Sequence, residues 1–119
     1  MFKVEIEGHV GGDPEMRYLE DGKAVTSFSV AVHWPEKGAQ MTEWFNCSAW
    51  RSLAELASQD LKKGGLIRVW GSGRTRIWQR QDGSIEKSLE VNAAGFEKVG
   101  HTDDQPVKAK ALSTLPESV

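Results

Sequence analysis

The chain has one cysteine, Cys47, in 119 residues. One thiol cannot make an internal disulfide, so a bridge-stapled secreted scaffold is excluded and a reducing compartment is expected. No apolar run approaches the roughly 20 residues that spanning a bilayer requires, so no membrane partner is expected. The opening MFKVEIEGHV alternates instead of forming the apolar centre of a signal peptide, so export is not indicated. An excess of one charge is also missing: 15 Lys and Arg face 17 Asp and Glu, a formal net charge of −2. That argues against a uniformly basic nucleic-acid binder but leaves room for a local basic patch. His9, His33 and His101 are scattered, and with a single cysteine they build no zinc site at a familiar spacing. The short GSG at Gly71 to Gly73 is no phosphate cradle. Nothing arranges Ser, His and Asp for catalysis. A catalytic role therefore has little support, and no cofactor is expected.

What is present is alternation. Hydrophobic residues at 39% and charged residues at 27% suit one soluble domain with a core. Phe2, Val4 and Ile6 alternate with Lys3, Glu5 and Glu7, which predicts a half-buried strand. GHVGGDP then reads as turn and bulge chemistry. A second strand is predicted over Val25 to Val32, with Phe28, Val30 and Val32 on one side. Pro35 is expected to end it, and PEKGAQM to form a loop. A third strand, Glu43 to Trp50, puts Phe45, Cys47 and Ala49 on an apolar face and Trp44, Asn46, Ser48 and Trp50 on the other. One helix of about ten residues follows. It carries an S-x-x-E capping box at Ser52 and Glu55 and an apolar stripe of Leu53, Leu56, Ala57 and Leu61. A fourth strand starts near Leu66, bends at Gly71 and Gly73, and turns at Asp82-Gly83 into a fifth, Ser84 to Val91, with Phe96 closing the ordered part. Five strands with one helix between the third and fourth is the order of an OB-fold, a small all-β Greek-key barrel with a long β-hairpin. The expected domain covers 1–98. From 99 to 119 periodicity is lost, which predicts a flexible tail.

The site candidates come from strand parity. Arg74, Arg76, Trp78 and Arg80 occupy every second position and so share one face of a strand. Counting back from a two-residue turn at Asp82-Gly83, Lys87 pairs with Trp78 and joins that face. A purely protective role for charge on a long hairpin would account for the arginines but not for the Trp among them. Trp44 and Trp50 fall opposite the core face of their strand. Trp34 shares the parity of Phe28, Val30 and Val32 and so points inward unless the strand end twists. Trp70 shares parity with Arg68, but it adjoins the glycine bends and suits a packing or interface role equally well. Rings that stack on bases, with cations between them for phosphates, explain both sets together. Stacking accepts any base, and no array of base-reading side chains is recognisable, so little sequence preference is expected.

Several segments in order resemble the bacterial single-stranded DNA-binding protein family. They are GHVGGDPEMRY, AVTSFSVAV, TEWFNCSAWRSLAE, LKKGGLIRVWG, RTRIW and LEVNAAGFEKV, and together they span about Val4 to Phe96. The resemblance implies an OB-fold that binds and protects single-stranded DNA in replication, recombination and repair. It implies no enzyme activity, a homotetramer, and a cytoplasmic, nucleoid-associated location. It places stacking aromatics on Trp34, Trp44, Trp50 and Trp78, which favours an outward Trp34, and backbone contacts on Arg17, Arg74, Arg76 and Lys87. The family's acidic tip with a terminal Pro-Phe has no counterpart in TLPESV, so recruitment of replication proteins by that route is not implied. A competing expectation is a specialised paralogue of the primosomal type, an OB-fold acting mainly as an assembly module.

Overall fold

Alternating apolar residues make β1 (Phe2–Val10), with Ile6 and Val10 turned to the core. The computed structural model describes residues 1–99, so the tail expected over 99–119 lies, but for Val99, outside the described residues. The remaining elements are β2 (Glu15–Tyr18), β3 (Ala24–Glu36), β4 (Ala39–Trp50), α1 (Ser52–Asp60), β5 (Leu66–Gln79) and β6 (Ile85–Lys98). β1 pairs antiparallel with β5 from Phe2↔Gly73 to His9↔Leu66, and it also meets β3 at His9↔Ala31 and Val10↔Val30. β5 pairs with β6, β6 runs parallel to β4, and β4 pairs with β3. Five strands thus close into an OB-fold barrel, with β2 added along β3. The closure point demands bare backbone: a Cβ on Gly8 would lie 2.2 Å from the Ala31 carbonyl oxygen.

The core is lined by Phe28, Val30, Cys47, Ala49, Val69 and Phe96. α1, between the third and fourth barrel strands, lays Leu53 and Ala57 against them, with Leu61 just past its end. Each buried leucine contributes about 1.5–3 kcal/mol. Thr26 fastens the helix to β3, because its hydroxyl donates to the Ala54 carbonyl at 2.6 Å. Among the described residues no helix is long and apolar enough to cross a membrane.

Four local expectations need correction. Pro35 does not end β3, which runs on to Glu36, and PEKGAQM is not a loop. Past Ala31, β3 has β4 as its one partner among the described residues, so Pro35 pairs with Gln40 where no second ladder needs an N–H. Lys37 and Gly38, with φ of 51° and 82°, form the two-residue turn, and β4 starts at Ala39, not Glu43. Secondly, GHVGGDP is not turn throughout: Gly8, His9 and Val10 continue β1, and beyond Pro14 the chain forms a short strand, Glu15–Tyr18, exposed along its length. Thirdly, the Ser52–Glu55 capping box does not form. The Arg51 N–H donates to the Ala24 carbonyl at 2.8 Å, so the chain turns at Arg51 and Ser52 is already helical.

The fourth correction concerns the β5–β6 hairpin. Its loop is one residue longer than a two-residue Asp-Gly turn. Gly83 N–H donates to the Arg80 carbonyl at 3.0 Å, and Arg80 N–H to the Ser84 carbonyl at 2.8 Å. Gly83 holds φ of 92°, the left-handed residue of a three-residue loop with a bulge. Trp78 therefore pairs with Glu86, while Lys87 pairs with Ile77. A one-residue change of register moves Lys87 to the other face of the hairpin.

Candidate nucleic-acid interface

Alternation along β4 sends Phe45, Cys47 and Ala49 inward and leaves Trp44 51% and Trp50 39% exposed. The same alternation along β5 lines up Arg74, Arg76, Trp78 and Arg80, with Trp78 45% exposed. The β6 partners of Arg74, Arg76 and Trp78 are Glu90, Ser88 and Glu86. The parallel β4–β6 register, with Asn46 opposite Glu90, makes these two surfaces one. A hydrogen bond from Asn46 Nδ2 to Ser88 Oγ at 2.9 Å crosses the seam. Arg17 enters from the far side. It pairs with Val25 of β3, which pairs with Trp50, so Arg17 and Trp50 share the outer face across one strand.

Trp44, Trp50, Trp78, Arg17, Arg74, Arg76 and Arg80 thus lie on one outer surface. Two expected residues do not join them. Lys87 is on the other face of the hairpin, with Ile77. Trp34 pairs with Met41, on the face of the β3–β4 ribbon opposite Trp44, as its parity predicted. It is half-buried, and its indole N–H donates to Glu36 Oε1 at 3.1 Å.

The arginines are not free. Arg74 Nε donates to Glu90 Oε1 at 2.9 Å, and Arg76 reaches the other oxygen of the same carboxylate at 3.4 Å. Arg80 pairs with Glu86 at 2.6 Å. Two carboxylates offset three guanidinium groups, leaving the hairpin with less positive charge than its arginine row suggests. The Arg76 guanidinium carbon also lies 5.9 Å from the Trp78 ring centroid, within cation–π reach. These contacts tie the long side chains across the hairpin to β6. Glu86 and Glu90 were not anticipated from sequence. A three-residue loop would have placed them opposite Trp78 and Arg74. Among the described residues, no group of three or more His, Cys, Asp and Glu could hold a metal ion.

A closed five-stranded barrel with an aromatic and basic outer face defines an OB-fold binding module. The chain matches the model of the single-strand binding protein family over residues 1–99 and belongs to that family. It is 40% identical over 103 residues to single-stranded DNA-binding proteins of two Neisseria meningitidis strains, serogroup A Z2491 and serogroup B MC58. Those alignments cover 82% of this chain, and the chain spans 59% of the length of those relatives. Its fold is also similar to that of a Plasmodium falciparum SSB solved in complex with ssDNA. That match has a TM-score of 0.63 and 26% identity, and covers 77% of this chain and 85% of the other.

Proposed function

We propose that this chain binds single-stranded DNA with little sequence preference and shields it during replication, recombination and repair. The observation that carries the reading is the single outer face that holds Trp44, Trp50 and Trp78 together with Arg17, Arg74, Arg76 and Arg80. Indole faces stack on any base, and guanidinium groups neutralise phosphates without reading sequence. Membership of the family, and relatives named as single-stranded DNA-binding proteins, support it. Residues 1–98 carry the binding, and residues beyond Gly100 contribute little to it. The protein works as a homo-oligomer, a tetramer by family resemblance. Among the described residues, the edge of β1 over Phe2–Gly8 that faces away from β5 is open for pairing with another copy. Work on DNA and an unpaired thiol suit a cytoplasmic, nucleoid-associated location. Titration with oligo(dT) tests the reading directly: tryptophan fluorescence should quench strongly and saturably. An unquenched signal would favour the assembly-module alternative.

A further inference from the structure

The outward positions of β5 do not stop at Arg74. Continuing at every second residue from the hairpin toward the start of the strand come Ser72 and Trp70, and both line a cleft of about 1090 Å³. Trp50, the last stacking candidate on β4, lines the same cleft from the other side. A row that starts at Trp78 therefore runs without a break into the cleft, about 26 Å away along β5.

The cleft has the chemistry of the outer face and a freer positive charge. Lys3, Lys23 and Arg51 line it against one carboxylate, Glu5, which is engaged by Arg68 at 3.5 Å. Lys23 is paired with Asp21 at 3.4 Å, whereas Lys3 and Arg51 have no acidic partner among the described residues. The hairpin arginines, in contrast, all hold glutamates. Ser72 and Asn92 add hydrogen-bonding groups to the wall. The Trp70 ring is seated on the β6 backbone, where a Cβ on Gly95 would lie 2.5 Å from it. Such a ring is held in place before any base arrives.

Building on the single-strand reading above, we propose that this cleft is a further subsite for single-stranded DNA. A base stacks on the indole of Trp70, and Lys3 and Arg51 neutralise the adjoining phosphates. The strand then runs from Trp78, past Arg76 and Arg74, into the cleft beside Trp50. The charge of the walls favours a polyanion, and two indoles in one cleft favour bases over an acidic peptide.

The test uses the full chain and an oligo(dT) of about 16 nucleotides, the upper range of site sizes for one OB-fold. Trp70→Ala should weaken binding by roughly 5- to 150-fold, the loss of one stacked base, while Trp70→Phe keeps most of the affinity. The double variant Lys3→Gln/Arg51→Gln should lower the slope of log affinity against log salt by about 1.4, two phosphates at about 0.7 each. Melting temperatures identify variants that fold. If Trp70→Ala does not fold, Trp70→Phe and the double variant still decide. Unchanged affinity and slope in folded variants would overturn the subsite. So would a change in assembly mass with unchanged affinity, which would make the cleft a contact between copies. Failure of the parent chain to bind oligo(dT) at all would instead remove the single-strand reading itself. If the parent binds and Trp78→Ala weakens it while the cleft variants do not, the subsite alone falls.

Discussion

Trp78, Trp44 and Trp50 each leave between 39% and 51% of their surface in solvent, so truncating them removes a stacking surface without emptying the core. Each Trp→Ala change should weaken oligo(dT) binding by roughly 1–3 kcal/mol and barely move the melting temperature. A buried aromatic would instead cost about 3–5 kcal/mol of stability, so a large drop in melting temperature with normal affinity would reverse the assignment. Glu90 should act in the opposite sense. Its carboxylate holds both Arg74 and Arg76, and a strand must take those guanidinium groups from it. Exposed pairs of this kind are worth only about 0.2–1 kcal/mol, so Glu90→Gln should tighten binding a few-fold at low salt with little effect on folding. Weaker binding in that variant would show that Glu90 helps the arginines more than it competes for them. Cys47 belongs to the core, 2% exposed, and burial pushes its thiol up to about 12. Above about pH 8.5 the unfolded chain loses this proton while the folded chain keeps it. Its contribution is therefore full below that pH and falls by about 1.4 kcal/mol per unit as pH rises toward 12. Melts at pH 8 and pH 10 should show a smaller alkaline loss for Cys47→Ala than for the parent.

At the scale of elements, the β5–β6 hairpin is both the longest ladder and the main carrier of charge. Arg74 and Arg76 project from the same ribbon face as Trp78, the face proposed to take the DNA strand. Replacing both with Ala should flatten the dependence of log affinity on log salt by about 1.4, at about 0.7 per phosphate. A slope equal to the parent's, measured by fluorescence titration from low to moderate salt, would return these side chains to an ion-paired, solvated role. α1 acts differently. It closes one end of the barrel through Leu53, Ala57 and the Thr26–Ala54 hydrogen bond, and its first turn borders the cleft at Ser52 and Leu53.

At the scale of the whole barrel, β1 and β3 meet only at His9 and Val10 among the described residues, which leaves most of one edge of β1 unpaired there. Light scattering at micromolar concentration should therefore report a multiple of the 13.2 kDa chain, a tetramer on the family pattern. A mass equal to one chain would show that the open edge is left unused.

Which way Trp44, Trp50 and Trp78 face was legible in the sequence, because alternation in a strand depends only on near neighbours. Cys47 between Phe45 and Ala49 marked the core side in the same way, and the strand-helix-strand order carried the barrel. Pairing between strands was not legible, because it depends on loop closure. One extra residue in the Arg80–Ser84 loop exchanged Lys87 for Glu86 opposite Trp78. The two-residue turn at Lys37-Gly38 carried β3 through Pro35, where proline rules alone predicted an end. Only the tertiary structure decided that the Trp row of β4 and the Arg row of β5 form one surface. That joining rests on the parallel register of β4 with β6, between segments more than forty residues apart, which no local periodicity encodes. The same long-range pairing set Glu90 against Arg74 and Arg76 and brought Trp50 and Trp70 to one cleft.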